Sequence, residues 1–275
     1  MKHSKFAIIV LVLVLLFLYL PIFIMVGDSF NADKYCGKWL GFTFKWYGAL
    51  FSHSNRNIWM AFERSIIIAI TATLSSCILG TSAALAIHKW KGRLQTFHYS
   101  LIYTPLVMPE ILMGISLLML FTAIGLNCGM WTIWIAHTTF CVSYVTMTIL
   151  ARLQDFDDRI LEAAYDLGAS PWTAFFKVQL PVLMPGIIAG GLLAFTLSID
   201  DFVITFFVTG PGSDTLPLQV YSMIKHSKQL PVINALSTLM IVFTCTLVFL
   251  SRIVSSYKKK GRSLTQLRTD IKGVK

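Results

Sequence analysis

Six stretches of the chain are almost purely apolar, and charged residues gather in the gaps between them. The runs lie at 6–26, 60–87, 94–121, 130–150, 182–208 and 232–254. Each is near the roughly 20 residues that an α-helix needs to cross a bilayer. The pattern predicts an all-α membrane protein with six transmembrane helices and no soluble domain, so that 1–275 forms a single transmembrane domain. A cleaved signal peptide would have a shorter apolar core and small residues at its cleavage site. The first run is 21 residues long and ends in Met25, Val26, Gly27 and Asp28, which predicts a retained span.

The gaps have character of their own. Residues 31–57 form a loop in which Phe44, Trp46, Tyr47, Leu50 and Phe51 predict a short interfacial helix with its aromatics at headgroup level. Residues 88–93 make a compact basic turn, 125–129 a short one, and 210–214 open another loop. The third run is interrupted by Pro105, Pro109 and Glu110, and the fifth contains Asp200 and Asp201.

The longest gap on the side that carries both termini leads from the fourth run into the fifth. Residues 159–167 are rich in good helix formers, and Gly168 stops that helix as glycine does at a C′ position. Ser170 followed by Pro171 is an N-cap with proline at the first helical position, so a second short helix starts there. Pro181 and Pro185 are expected to end it. Two short helices around a glycine turn make a rigid knob presented outside the membrane.

Composition agrees. Hydrophobic residues make up 56% of the chain and charged ones 13%, against about 25% charged in an average soluble domain. The net charge of +10 does not imply nucleic acid, because the basic residues cluster at span ends and in the tail, where topology and anionic lipid explain them. Sixteen of them fall on the side that carries both termini, the 88–93 turn and the knob, and seven fall on the other. Positive-inside therefore places both termini and the knob in the cytoplasm. Cys77, Cys141 and Cys245 lie within runs and are expected to be packing residues, while Cys36 and Cys128 fall in outer loops, where pairing is open to them.

There is no G-x-x-x-x-G-K-[ST] and no zinc-spaced cysteine–histidine cluster. This chain therefore cannot cradle nucleotide phosphates by a P-loop, and no cofactor is expected in it. The unusual residues are acids inside the runs. A charge at mid-span costs on the order of 2.5–3.5 kcal/mol on insertion scales, which makes Glu110, Asp200 and Asp201 functional candidates. Glu110 lies 16 residues into its run and Asp200 18 into its own, so straight helices would put them at similar depth. No lysine or arginine lies nearby to neutralise them, which suggests a cationic passenger. Two roles fit Asp201: lining a path, or being satisfied by neighbours such as Ser198 and Thr205. On a continuous helix it would point about 100° away from Asp200. Phe202 and Tyr144, with Phe195, Phe206, Phe207 and Tyr103, supply rings for cation–π contact with alkylammonium groups. His137 is expected to be a hydrogen-bonded packing residue. A different chemistry, an intramembrane aspartyl hydrolase using Glu110 with Asp200, also fits a carboxylate pair.

Two resemblances narrow the choice. Glu162-Ala163-Ala164, three residues, Gly168, nine residues and then Val178-x-Leu180-Pro181 resembles the EAA loop of ABC importer permeases, with valine for the usual isoleucine. That resemblance implies the type I importer permease fold, and that Leu161, Glu162, Ala163, Ala164, Tyr165, Asp166, Leu167, Gly168 and Ala169 dock on a cytoplasmic ATPase. Lys45-Trp46-Tyr47, Met108-Pro109-Glu110, Ala136-His137-x-Thr139-Phe140-Cys141, the 161–170 stretch, Phe195-Thr196-Leu197-Ser198-x-Asp200-Asp201 and Thr209-Gly210-Pro211 together resemble the permease subunits of spermidine/putrescine ABC importers. The family position matching Glu110 is commonly aspartate. This resemblance implies a bacterial inner-membrane chain paired with a second, similar permease, two copies of an ATPase and a periplasmic polyamine-binding protein. It also implies that intramembrane acids line the polyamine path. An importer for another cation, such as a cationic amino acid or ferric ion, is the nearest alternative.

Overall fold

In the computed structural model, residues 5–35, 37–90, 92–154, 156–227, 230–242 and 245–246 are described. Among them, four helices are long and apolar enough to cross a membrane: Lys5–Asp28 (α1), Arg56–Lys89 (α3), Met130–Leu153 (α6) and the continuous rod Pro171–Asp200. A fifth crossing is made if Arg93–Val107 (α4) and Glu110–Ala123 (α5), bent by 110° at their junction, count as one span. The expected sixth run is helical over Leu230–Val242, shorter than a span, and most of the remainder of 232–254 lies outside the described residues.

The chain divides into two compact units, residues 57–221 and the two ends that flank them. In the flanking unit, α1 leads into a loop closed by an isolated antiparallel bridge between Asn31 and Phe42. Buried Asn31 is the organiser there. Its side chain donates to the Lys38 carbonyl and accepts from the Leu40 and Asp33 N–H groups, and its carbonyl accepts from Trp46 Nε1 at 2.6 Å. The Asp33 carboxylate accepts from the N–H groups of Tyr35, Gly37 and Lys38, which holds its pKa below the usual aspartate value. The short helix expected in this loop is present as Lys45–Leu50 (α2), with a split surface. Phe44 and Phe51 are exposed, but Trp46 and Leu50 are buried, so two of the five expected interfacial residues pack inward. Cys36 lies outside the described residues, and its pairing with Cys128 with it.

In the larger unit, α6 runs through the core, and small residues let its neighbours approach. A Cβ at Gly80 of α3 would come within 2.8 Å of Val145 Cγ1, and one at Gly190 within 3.2 Å of Val145 Cα. Glycine at such crossings permits the close backbone packing that membrane helices rely on. Cys141 is fully buried against the Ala194 carbonyl and Cys77 is half-buried; Cys245, expected to pack as well, is exposed.

Three features depart from the pattern. The rod does not end at Pro181 or Pro185. Pro171–Ala174 (α8) passes through a π-helical turn, Phe175–Gln179, into Leu180–Asp200 (α9). In that turn the Leu180 N–H reaches back five residues to the Phe175 carbonyl, and this wider spacing lets the helix run on into Pro181. The fifth run, in turn, is not continuous: α9 stops at Asp200, and Val203–Val208 (α10) begins after an extended residue, Asp201. Finally, the loop after 214 holds a helix, Leu216–Ser222 (α11), whose first N–H donates to Ser65 Oγ at 2.8 Å.

Candidate functional site

Both interrupted runs break at the same place. The α4–α5 junction and the α9–α10 junction line one cavity of about 310 Å³, at the low end of small-molecule sites. Its wall contains Glu110, Asp200, Asp201, Tyr144 and Phe202, so all five residues singled out for a substrate path meet there. Pro105, Met113, Phe140, Leu197, Val203 and Ile204 complete it. Straight-helix counting cannot explain this meeting, because α4 and α5 are bent by 110°. What joins the two breaks is the packing of α5 on α10, where a Cβ at Gly114 would lie 2.7 Å from the Phe207 ring.

The three acids differ. Glu110 opens α5, where the positive end of the helix dipole favours a carboxylate, and it is exposed. Asp200 closes α9 and is also exposed. Among the described residues neither has an ion pair. Asp201 is engaged: its carboxylate accepts from the Ile204 N–H at 3.3 Å, and from the Thr205 N–H and hydroxyl at 2.8 Å each. These bonds satisfy free donors at the start of α10. Asp201 therefore has hydrogen-bond partners and also lies on the cavity wall. The 100° argument fails because the helix ends between the two aspartates.

His137 of α6 is fully buried and completes this network. Its Nδ1 lies 2.7 Å from Ser198 Oγ, and its Nε2 lies 2.9 Å from Thr205 Oγ1 and 3.3 Å from Asp201 Oδ2. His137, Phe140 and Tyr144 are spaced i, i+3, i+7, so one face of α6 supplies both the network and two cavity residues. That spacing was the available signal for Phe140. Phe202 packs on Tyr221, with ring centroids 4.9 Å apart. The remaining candidate rings, Phe195, Phe206, Phe207 and Tyr103, lie outside the cavity lining.

The knob forms as its local signals direct. Arg159–Asp166 (α7) ends at Gly168, which has φ +82°. The Gly168 N–H donates to the Tyr165 carbonyl at 2.8 Å and the Ala169 N–H to the Ala164 carbonyl at 3.0 Å, the paired bonds of a Schellman turn. Ser170 Oγ accepts from the Thr173 N–H, and Pro171 opens α8. Leu161 is buried beneath. Glu162, Ala163, Tyr165, Asp166 and Leu167 face outward, and Ala164 and Ala169 are half-buried. Leu167 is 89% exposed and Trp172 74%, the two most exposed large apolar side chains of the knob. At its base, His88 Nε2 lies 3.7 Å from Asp158 Oδ1.

Comparison with known proteins places this architecture. Residues 76–259 match the family of binding-protein-dependent transport system inner membrane components. The chain is 38% identical over 244 residues to the spermidine/putrescine transport system permease protein PotC of Escherichia coli K12, covering 89% of this chain and 91% of that one. It is 42% identical over 246 residues to the putrescine transport system permease protein PotI of the same strain, covering 86% of each. Its fold is similar to a chain of a bacterial ABC transporter involved in the import of the acidic polysaccharide alginate. The TM-score is 0.68 and the identity 17%, over 94% of this chain and 99% of that one. These relatives are transport permeases rather than enzymes, and the hydrolase alternative has no counterpart among them. The chain belongs to the binding-protein-dependent transport system inner membrane components, and it is a permease with the ABC importer fold.

Proposed function

We propose that this chain is one half of the translocation path of an ATP-driven polyamine importer. The observation that carries the reading is the meeting of Glu110, Asp200 and Asp201 with Tyr144 and Phe202 in one cavity between two broken helices. Broken helices place irregular backbone where it lines a cavity, a recurrent way of building a solute site at membrane depth. Carboxylates beside aromatic rings suit the ammonium groups of a flexible diamine, and the two polyamine permeases above are similar over most of their length.

In this reading the chain has six spans with both termini in the cytoplasm of a bacterial inner membrane. It pairs with a second, similar permease, two copies of an ATPase that carry ATP and magnesium, and a periplasmic polyamine-binding protein. Residues 159–181 are the coupling region, and the uncovered Leu167 and Trp172 enter a groove on the ATPase. In a chain whose five native cysteines are replaced by alanine, a cysteine placed at Trp172 should react with a membrane-impermeant thiol reagent only after the membrane is opened, and one at Gly212 should react in intact spheroplasts. Tagged chain should bring an ATPase through purification, and the purified complex in proteoliposomes should take up labelled putrescine or spermidine when given ATP. Reversed labelling would overturn the orientation. Uptake of a cationic amino acid or of iron, with none of either polyamine, would overturn the substrate.

A further inference from the structure

The backbone break after Asp200 leaves α9 and α10 joined through an extended residue, yet one side chain of a third helix touches both sides of it. His137 reaches Ser198, in the last turn of α9, with one ring nitrogen, and Thr205, in the first turn of α10, with the other. We propose that His137 is a positioning residue that fixes the angle between α9 and α10, and so aims Asp200 into the cavity opposite Glu110. The proposal rests on the cation-path reading above.

The hydrogen-bond directions are determined by donor supply. An ionised Asp201 can only accept, so the Thr205 hydroxyl donates its single proton to Asp201 Oδ2. Thr205 Oγ1 is then an acceptor, and His137 Nε2 must carry the proton given to it. In the neutral ring Nδ1 is left as an acceptor and takes the Ser198 hydroxyl proton. The Nε2 proton has acceptors at Thr205 Oγ1 and, farther off, Asp201 Oδ2, and Nδ1 has the Ser198 donor, so the imidazole is held in one tautomer and one orientation. Asp201 keeps its bonds to the Ile204 and Thr205 N–H groups without His137, so α10 retains its capped start when the ring is removed. What is lost is the tie across the break, together with the 3.3 Å approach of Nε2 to Asp201 Oδ2.

That difference makes the role testable apart from folding. In proteoliposomes holding the complex with its partners, His137→Ala is expected to lower polyamine moved per ATP hydrolysed about ten-fold, with ATP hydrolysis and complex recovery within about two-fold of the parent. Ser198→Ala, which removes the Nδ1 tie to α9 and leaves the Asp201 bonds in place, should show the same defect. The double variant should be no worse than either single one, because both remove one bridge. His137→Gln, whose amide can donate where Nε2 does, should restore most of the coupling. Parental uptake per ATP in His137→Ala, or additive losses in the double variant, overturns the proposal. So does loss of assembled complex that His137→Gln does not restore, since that marks a purely structural residue. If Glu110→Gln and Asp200→Asn also transport like the parent, the cavity reading itself fails. If they lose uptake while His137→Ala does not, only the positioning role fails.

Discussion

Replacing Glu110 by glutamine, or Asp200 by asparagine, is expected to lower polyamine uptake about ten-fold or more while leaving the amount of assembled complex unchanged. An ammonium group that leaves water needs opposite charge to offset its desolvation. At about 4 Å and an effective dielectric near 20, one carboxylate supplies on the order of 4 kcal/mol. If water and the second carboxylate replace two thirds of that, about 1.4 kcal/mol is lost at the barrier, which is ten-fold in rate. The fold has less at stake. Among the described residues neither side chain has an ion pair, and Glu110→Gln would forgo only a helix-dipole interaction of about 0.3–1 kcal/mol. Asp201→Asn should behave differently. Its carboxylate accepts three bonds at the start of α10, and an amide turned there sets N–H against N–H. That variant should lose complex as well as uptake. The measurement is labelled putrescine and spermidine uptake in cells lacking other polyamine importers, with complex recovered by affinity purification. Parental uptake in both amide variants at parental complex levels would show that transport does not depend on either charge.

The second large effect is expected at Gly168. Its φ of +82° is one that a β-branched residue rarely adopts, and left-handed backbone costs an L-residue about 1–2 kcal/mol. Space is not the obstacle, since a Cβ there would meet nothing within 4 Å. Gly168→Val should therefore rebuild the turn rather than clash. The two Schellman bonds would open, and Leu167 and Trp172 would no longer be presented at a fixed angle. Uptake should fall below about a tenth of the parent, a loss of roughly 1.4 kcal/mol or more in coupling. The chain should still reach the membrane, because the knob lies outside the span core. Gly168→Asn, which tolerates the left-handed region, should retain much of the activity. Normal uptake by the valine variant at normal expression would remove the knob from the coupling mechanism.

The sequence made some of this legible and left the rest hidden, for physical reasons. The knob could be read because its signals are local: Gly168 at C′, Ser170 at an N-cap and Pro171 after it each act within one turn of backbone. The acids could be singled out because charge is costly in an apolar run, whatever the tertiary structure. Their meeting could not be derived from depth. The proline signals at 105 and 109 announce an interruption, but the 110° angle comes from α5 packing on α10 at Gly114. Pro181 and Pro185 misled in the opposite sense. Pro181 falls in the first turn of α9, where a missing donor has little use, and the π-helical turn before it accommodates the mismatch; Pro185 lies inside α9, which continues past it. The break at Asp201 was hidden although the bonds that mark it are local: an aspartate that caps the Ile204 and Thr205 N–H groups reads, in an apolar run, the same as one on a continuous helix.

The continuous rod from Pro171 to Asp200 has a mechanical meaning. Thirty residues at about 1.5 Å each give a lever roughly 45 Å long. Exposed Trp172 stands at one end and a cavity acid at the other. A tilt of about 5° around its middle would carry each tip about 2 Å in opposite directions. Gly190, seated against Val145, lies between the tips and nearer the cavity, and a crossing with so little clearance can act as a fulcrum. Torque applied at the knob would then reach Asp200 without passing through a loop, and the break after it marks where the stiff arm ends.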